Sequence, residues 1–542
     1  MLIKQSLINT LLISLVFNHN LSADSEAPEK TEPVTQEQLA KTERLLITGS
    51  RFNAVKLAPP ESISVLDQAE IQLVSHTHIS ELLSQVSGTW ISRGNGQEHL
   101  TAIRSAVLTG SGACGAFFMA EDGIALRAQG FCNVNQLFDA HSEQAEYIDV
   151  IKGPASVMYG SNALHGVINI INPSIEQIEP KLSIEVGSID YYRTKLAVKS
   201  QLSENHSVGL LTTLNSSGGY QEESGYDQQK ITLLHDYLRD EFSAKTRLSG
   251  TNLNQETAGF LQGYNIYRDD ELNKQNLNPE AYRDSQSLRL NSEFNWQLAN
   301  NQDFTLTAFY RDNSMEFIQH YLPWKAVETN GHKSVGLKSL YRSQSKDFSW
   351  AAGLDVELTE GSLSEYQAEA FSATIPMGMH YDYQVDAVNV SPFIDSLWQI
   401  NDDLSLSAGV RFDRLTYDYN NQLADGNACE TTVSNCRFTR PADEKSSFND
   451  FSPRVGLSYQ LNPELTSYVT VSKGFRAPQA TELYRLQAGQ QTADLSSVEI
   501  SNFELGLRSQ STLLDYQLSI FSMTKDNVIF QDTSRLYLDT GR

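Results

Sequence analysis

The residues that could carry out chemistry begin with two adjacent carboxylates, Glu121 and Asp122. Paired carboxylates act as general acid and base when both face one substrate. Adjacent residues on a strand point to opposite faces, however, and Asp122-Gly123 is first a turn signal. The chain contains neither the Gly-x-Ser-x-Gly pattern of serine hydrolases nor the His-Glu-x-x-His pattern of zinc proteases. These observations disfavour catalysis.

A pair of histidines offers a second candidate site. His76 and His78 lie two positions apart, a spacing that suits a metal only if both side chains lie on one face of a strand. The surrounding sequence instead predicts two helices, one capped by Asp67 and the next by Thr77 or Ser80. At a helix start both imidazoles would be solvated, so we predict no metal ligand here or elsewhere in the chain.

The cysteines point to an exported protein with disulfides. Residues 1–23 combine an N-terminal lysine, an apolar core and a terminal alanine, as in a secretory signal peptide, although a buried helix is the alternative. Export implies an oxidising compartment, where an even cysteine count indicates disulfides. Cys114 and Cys132 form one candidate pair, and Cys429 and Cys436 form the other. Metal binding is the rival, but two cysteines without a nearby histidine pair make a poor zinc site.

The composition narrows the class of protein. The chain has 542 residues, with 66 acidic and 41 basic side chains and a net charge of −25. Nucleic acid is disfavoured as a partner, because phosphate binding needs basic patches. The 23 tyrosines and 23 phenylalanines favour β structure. After the N-terminus no apolar run reaches the roughly 18 residues of a membrane helix, which leaves a soluble β protein or a β-barrel.

From about residue 180 the chain becomes a succession of segments in which polar and apolar residues alternate. In a soluble sandwich the apolar face would form the core, whereas in an outer-membrane barrel it would contact lipid while the polar face lined the lumen. Alternation alone leaves both possibilities open, and segments of about nine to eleven residues fit a tilted membrane strand. The aromatic residues near segment ends suit an interfacial girdle: Tyr310, Tyr341, Trp398, Tyr417, Tyr459 and Tyr468.

The most specific pattern spans residues 143–172, which read as a strand, a Lys-Gly-Pro stop, a Tyr-Gly turn and a short apolar strand. In this order the segment resembles the plug-domain signature of TonB-dependent outer-membrane receptors. The residues that carry the resemblance are Lys152, Gly153, Pro154, Tyr159, Gly160, Gly166 and Asn169, with Arg104, Asp122 and Gly123 at further plug positions. Ser105 stands where the family's Ile-Arg-Gly motif has glycine. Residues 472–478, SKGFRAP, resemble a landmark of the family's barrel.

The resemblance implies an N-terminal α+β plug domain, residues 50–172, inside a 22-stranded antiparallel transmembrane β-barrel. Residues 173–542 would supply only part of that barrel, because they leave about 17 residues for each of 22 strands with its turn and loop. We therefore expect a C-terminally incomplete sequence that holds roughly 14–17 strands, with two unpaired edges.

The leader, residues 24–49, is polar and is predicted to be flexible. At its end lies a short β-prone segment that resembles the TonB box: Glu43, Leu45, Leu46, Ile47 and Thr48. Alone it would be an edge strand. The resemblance implies instead that it pairs by strand addition with the TonB energy-coupling complex.

The function implied by the resemblance is active transport across the outer membrane of a Gram-negative bacterium, by a monomer embedded in lipid that needs no cofactor. The expected ligand is a ferric siderophore, with cobalamin, haem and glycans as alternatives. Aromatic loops at 315–330, 362–383 and 419–447 could stack on a planar ligand or pack on each other. The candidate ligand-binding residues are Arg93, His320, Tyr321, Trp324, His380 and Tyr381. A secreted β-rich hydrolase and a surface binding protein without transport are the rival interpretations.

Overall fold

The computed structural model describes residues 60–110, 112–509 and 516–540. The predicted signal peptide, leader and coupling segment, from Glu43 to Thr48, lie outside the described residues. Within those residues, every helix is too short to cross a membrane. The helices are α1 (Gln68–Val74), α2 (Ile79–Leu83), α3 (Ser156–Tyr159) and α4 (Ala480–Tyr484), with 3₁₀ turns at Ala113–Ala116, Gln136–Asp139, Ser142–Gln144, Ile175–Gln177, Ile266–Arg268 and Leu272–Lys274.

The N-terminal part is an α+β domain built on a five-stranded sheet of order β1-β6-β7-β4-β5, with β2 and β3 forming a separate pair. Only β4 and β7 are parallel in this sheet. Its core contains apolar side chains from both helices and the central strands, all of them between residues 66 and 170. The strands are β1 (Ser62–Asp67), β2 (Thr89–Arg93), β3 (His99–Ile103), β4 (Phe117–Glu121), β5 (Ile124–Ala125), β6 (Tyr147–Lys152) and β7 (Gly166–Ile171).

The predicted capping residue is correct for one helix of this domain and wrong for the other. Asp67 caps α1, as predicted, and Glu70 completes a capping box. The cap of α2 is His78, whose ring accepts from the Ser80 N–H, and not Thr77 or Ser80. The prediction that His76 and His78 are solvated is wrong: both are buried. His76 bonds to Ser142 Oγ and His78 to the Glu98 carbonyl, which satisfies rings that burial would otherwise leave without partners.

The rest of the chain forms a 15-stranded sheet in which every neighbouring pair is antiparallel and follows chain order. This number lies within the expected range of strands for this chain, and the described residues do not reach 22. The two edges are β8 and β25. The strands are β8 (Lys181–Val186), β9 (Tyr192–Ser203), β10 (His206–Ser217), β11 (Tyr226–Arg239), β12 (Phe242–Gln255), β13 (Tyr282–Ala299), β14 (Gln302–Ile318), β15 (Ala326–Gln344), β16 (Phe348–Gln367), β17 (Gly378–Gln399), β18 (Leu404–Asn421), β21 (Glu444–Asn462), β22 (Leu465–Arg476), β24 (Val498–Ser509) and β25 (Tyr516–Asp526).

Short strands in the connections complete the fold. They form a three-stranded sheet of order β19-β20-β23 and a hairpin of β26 and β27. These strands are β19 (Gly426–Asn427), β20 (Phe438–Arg440), β23 (Leu486–Gln487), β26 (Val528–Gln531) and β27 (Tyr537–Thr540).

The two faces of the large sheet decide between a sandwich and a membrane barrel. The outward face is apolar and uncovered: Leu354, Leu358 and Val455 are 42%, 49% and 51% exposed. The inward face is polar and buried, with Arg411 and Asp413 each 1% exposed. A soluble sandwich would show the reverse, because its apolar face forms the core. The arrangement is that of a barrel whose apolar face meets lipid.

The two rims of the sheet differ in the length of their connections. One rim has turns of two to four residues, at 204–205, 240–241, 300–301, 345–347, 400–403 and 463–464. The other has longer loops, at 218–225, 256–281, 319–325, 368–377, 422–443 and 477–497. In outer-membrane barrels the long loops are extracellular. The three predicted aromatic loops are shorter than expected, because strands of 17 to 22 residues continue past the membrane into them.

Aromatic residues gather on the outward face near the short-turn rim. Trp296 packs on Phe304 with ring centroids 5.8 Å apart, and Phe348 packs on Trp398 at 6.0 Å. This is the position of an interfacial girdle. The assignment of Tyr417 and Tyr468 to that girdle is wrong, because both face the lumen. Their hydroxyls donate to the Pro478 carbonyl at 3.1 Å and to Glu504 at 2.8 Å.

The sheet curves around the N-terminal domain, which its strands contact from β9 to β25. Arg193 on β9 donates to the Ser75 carbonyl, and Arg289 on β13 pairs with Glu121. On the opposite side Glu504 of β24 pairs with Arg104. The N-terminal domain is therefore a plug in the lumen, held mainly by charged and polar contacts.

The acidic pair Glu121–Asp122 lies at the C-terminal end of β4. The expected turn is present, with φ of +51° at Asp122 and +73° at Gly123. The prediction that the two carboxylates point to opposite faces is wrong, because this left-handed turn brings both onto Asn172. The Asn172 amide donates to Glu121 at 2.9 Å and to Asp122 at 2.7 Å. Burial, with Glu121 beside it, raises the pKa of Asp122 to about 6.

Candidate functional site

A cavity of about 840 Å³ lies between the plug and the barrel wall, at the long-loop side of the lumen. The plug contributes residues from 92–100 and 130–135. The wall contributes the ends of β13, β14 and β15 and the loop after β14, and the connection after β22 closes another side. The cavity is large enough for a drug-sized or larger ligand.

A disulfide fixes the plug side of this cavity. Cys114 and Cys132 are bonded, with Cα atoms 5.6 Å apart, and both line the cavity. The second predicted disulfide, Cys429–Cys436, is also present and closes part of the long loop after β18. The first disulfide links two segments of the plug wall that are 18 positions apart in the chain.

The first charged group in the cavity is an arginine of the barrel matched to a glutamate of the plug. Arg283 Nε lies 2.7 Å from Glu98 Oε1, and both side chains are buried. The other Glu98 oxygen lies 3.8 Å from His320 Nδ1. Burial is the main cause that lowers the pKa of His320 below its usual value. The guanidinium also stacks over Phe317, 4.2 Å from the ring centroid.

The second group is Arg485, which lies between two carboxylates. Its Nη2 is 2.9 Å from Glu328 Oε2 and also contacts Glu365. The other oxygen of Glu365 bonds to His380 Nδ1 at 2.9 Å, and His380 Nε2 reaches the Pro376 carbonyl at 2.9 Å. The single arginine is therefore outnumbered by carboxylates.

The third arginine is at the cavity mouth. Arg93 lies 3.2 Å from Glu81, and their side chains are 51% and 37% exposed. A pair this exposed stabilises the fold little, because water screens it. All three arginines of the cavity lining thus have a carboxylate partner.

Aromatic rings line the same mouth. The His320 ring lies edge-on to Phe260 and to Tyr321, with centroids 5.5 Å and 5.3 Å apart. Phe260 is 67% exposed and Tyr321 is 54% exposed, so their faces remain available to a ligand. Deeper in the cavity Phe131 stacks on His332.

The structure brings three of the six candidate ligand residues into the cavity: Arg93, His320 and Tyr321. The other three lie beside it and contact protein groups. His380 stacks on Phe438 with centroids 3.7 Å apart, the Tyr381 hydroxyl donates to the Leu486 carbonyl, and Trp324 lies under Arg437. Among the described residues, no group of three or more His, Cys, Asp or Glu side chains could hold a metal ion.

The residues that sequence reasoning missed, one in the plug and the others in the barrel, are those that set the charge of the cavity. Glu98 and Arg283 are 185 positions apart, and Glu365 and Arg485 are 120 apart. Each is one charged residue among many in an acidic chain, and no local pattern marks it. Only the register of β13, β15 and β16 around the plug brings these side chains together.

The two motifs singled out in the sequence meet in the lumen. A Cβ on Gly474, within residues 472–478, would lie 2.8 Å from Pro154 Cβ of the plug. Glycine is required there for this close approach. The Phe475 N–H donates to Ser156 Oγ at 3.2 Å. Residues 474–487, the lumenal segment, therefore run from the plug signature to Arg485 in the cavity.

The remaining signature residues build the plug sheet and its contacts. Asn169 on β7 accepts the Gly123 N–H at 2.9 Å and so holds the turn after β4. The Lys152 ammonium donates to Ser64 Oγ at 3.0 Å and to the Ser87 carbonyl at 3.2 Å. Burial lowers the pKa of Lys152 to about 8. The Tyr159 ring packs on Phe118.

Comparison with known proteins gives two family matches. The model of the TonB-dependent receptor plug domain matches residues 55–167, and that of the TonB-dependent receptor-like β-barrel matches residues 191–541. Among curated proteins, a vitamin B12 transporter, BtuB of Vibrio cholerae serotype O1, is 22% identical over 498 residues, covering 88% of this chain and 70% of that protein.

Solved structures with the same fold include two iron receptors. The unliganded ferric citrate transporter FecA has a TM-score of 0.72 at 16% identity, covering 88% of this chain and 72% of that one. The ferric yersiniabactin uptake receptor FyuA from Yersinia pestis has a TM-score of 0.70 at 15% identity, covering 88% and 74%. At these identities the likeness concerns the fold.

Proposed function

Since this chain belongs to the TonB-dependent receptor family of the Gram-negative outer membrane, we propose that it imports a scarce extracellular ligand, captured in the cavity between plug and barrel. A ferric siderophore is the first candidate. A corrinoid is the second, favoured by the vitamin B12 transporter that this chain resembles.

The observation that carries this proposal is the position of the cavity. It is bounded on one side by the plug and on the other by barrel strands and long loops. A ligand held there is separated from the short-turn rim by the plug sheet. Passage therefore requires the plug to move, which is the step that energy coupling would supply.

Coupling is assigned to Glu43, Leu45, Leu46, Ile47 and Thr48. In this proposal the segment adds as a strand to the TonB protein, which pulls on the plug with energy from the proton-motive force. Strand addition reads the backbone more than the side chains. No bond of the ligand is broken, so the proposal includes no catalytic residue, and Glu121 and Asp122 serve the plug fold.

The test is a proline in the coupling segment. Leu46→Pro removes a backbone donor from the added strand. We expect cells that carry this variant to bind labelled ligand at their surface as the wild type does, but to lose energy-dependent accumulation. Uptake of radioactive iron as a ferric trihydroxamate, and of labelled cyanocobalamin, measures both steps with and without a proton uncoupler.

Gln38→Pro in the predicted flexible leader is the matched control and should leave uptake unchanged. Equal uptake by the Leu46→Pro variant and the wild type would contradict the coupling assignment and favour a surface binding protein without transport.

A further inference from the structure

The cationic side chains of the cavity all have carboxylate partners within the protein. Its lining contains three arginines, and within the described residues it contains no lysine. Arg93 pairs with Glu81, Arg283 with Glu98, and Arg485 with Glu328 and Glu365. Four carboxylates thus face three guanidinium groups.

The two inner pairs are the ones that a bound ligand would meet without water. The side chains of Arg283 and Glu98 are 8% and 9% exposed, and Glu328 is 7% exposed, whereas its partner Arg485 is half-buried at 26%. Charges in such a setting are screened little, because few water molecules or salt ions reach them. A ligand's own charge would therefore contribute strongly to its affinity.

Among the described lining residues, an anionic ligand would find every arginine already beside a carboxylate. At Arg283 it would lie next to Glu98, and at Arg485 it would lie next to Glu328 and Glu365. These carboxylates would remain buried close to the new anion. Like charges held close together in an interface are costly and serve to reject wrong partners.

The remaining lining suits a ligand without net charge. Amide and hydroxyl groups of Asn133, Gln319, Thr481 and Gln531 offer donors and acceptors. The exposed faces of Phe260 and Tyr321 offer apolar contact to a planar group. Such a mixture of aromatic surface and a few polar groups is typical of sites for neutral organic ligands.

We infer that the cavity takes an electrically neutral ligand, of the class of a ferric trihydroxamate or a neutral corrinoid, and rejects polyanionic chelates such as ferric triscatecholates. Three singly charged hydroxamates neutralise Fe³⁺, whereas three doubly charged catecholates leave three negative charges. This inference rests on the proposed function, because it specifies the ligand of the same cavity.

The experiment is a binding series on the complete protein, purified in mild detergent from its outer membrane. Titration calorimetry would compare a ferric trihydroxamate, cyanocobalamin and a ferric triscatecholate. We expect one of the neutral probes to bind at least about tenfold more tightly than the triscatecholate. Which of the two neutral probes binds distinguishes a siderophore from a corrinoid.

Two isosteric variants then change the charge by one unit. Glu98→Gln leaves Arg283 without its carboxylate, and Glu328→Gln relieves the excess at Arg485. Each should improve triscatecholate binding relative to the neutral probe by about tenfold. Glu360→Gln, an exposed residue on the outward face of β16, makes the same chemical change outside the cavity and should alter nothing.

The outcomes are separable. A triscatecholate that binds the wild type as tightly as the neutral probes overturns the inference, whether or not the variants fold. Binding of none of the three probes also overturns it. A neutral probe that binds with this preference but is not accumulated by energised cells supports the charge assignment and contradicts the proposed transport.

Discussion

The ion pair between Arg104 and Glu504 should be one of the strongest single links between plug and barrel. Arg104 Nη1 lies 2.6 Å and Nη2 3.1 Å from the two oxygens of Glu504, in a bidentate arrangement. The side chains are 4% and 2% exposed. The test replaces Arg104 with methionine, which keeps much of the length of the side chain and removes the charge.

The expected loss of stability follows from the groups that remain around Glu504 when Arg104 is replaced. Glu504 would keep the Tyr468 hydroxyl at 2.8 Å, but its charge would be buried without a directly paired cation. Removing one partner of a buried pair costs about 3–5 kcal/mol. The Arg104 backbone has a φ of +48°, which methionine adopts no more easily than arginine, so the backbone contribution should cancel.

Hydrogen exchange of the plug amides, followed by mass spectrometry in detergent, measures the free energy of local opening. The amides of β3 and β6 flank Arg104 and Lys152 and should exchange about 100 to 4,000 times faster in the variant, on the scale of tenfold per 1.4 kcal/mol. Arg93→Met is the matched control, because it breaks an exposed pair in the same domain and should cost less than about 1 kcal/mol.

An equal loss of protection in the Arg104 and Arg93 variants would refute the reasoning, since burial would then have no influence on the value of the pair. The double variant Arg104→Met with Glu504→Gln should recover part of the loss, because no unpaired charge remains.

Two further predictions concern the plug. Burial is the main cause that lowers the pKa of five plug histidines to about 3 or 4: His76, His78, His99, His141 and His165. The unfolded plug therefore binds more protons than the folded plug, and the stability of the plug should fall as the pH drops from about 6.5 to 4. Burial raises the pKa of Asp149 to about 8, which opposes this trend, so Asp149→Asn should make the loss of stability at low pH steeper. Protection of the plug amides that does not change with pH would contradict the assignment of this pH dependence to the buried histidines. Gly166→Ala should cost more than about 2 kcal/mol by the same exchange measurement, because its Cβ would lie 2.5 Å from the Ile151 carbonyl, whereas Gly110→Ala, with no atom within 4 Å, should cost little. Equal costs for the two would show that the β6–β7 contact is not close.

Local signals in the sequence predicted those parts of the fold that local physics determines. The capping box at Asp67 needs only residues 67–70, and the alternation in β16 and β18 needs only the period of a strand. The disulfide Cys114–Cys132 followed from the cysteine count in an exported chain. The cap and the alternation depend on patterns within about twenty residues, and the two bonded cysteines are only 18 positions apart.

The lumen could not be predicted in this way, because its contacts join residues far apart. Arg104 and Glu504 are 400 positions apart, and whether Tyr417 faces lipid or lumen depends on the register of β18 with its neighbours. The prediction of the cap of α2 was wrong for a related reason. The cap is His78, whose ring is held by the Glu98 carbonyl, 20 positions away, as well as by Ser80. The candidate site therefore emerged only from the folded structure.

The division of apolar and polar contacts is consistent with the proposed movement of a folded plug. The largest plug core draws its side chains from the plug alone. In the described residues, the apolar clusters shared with the barrel are small and centred on Phe138 and on Leu164, and Phe131 of the plug also packs against the larger barrel cluster. Most other contacts are ion pairs and hydrogen bonds, which water can replace when the plug shifts. Moving the plug would therefore expose little apolar surface, whereas unfolding it would expose its whole core, so displacement as a folded unit is the less costly path until a pulling force exceeds the stability of that core.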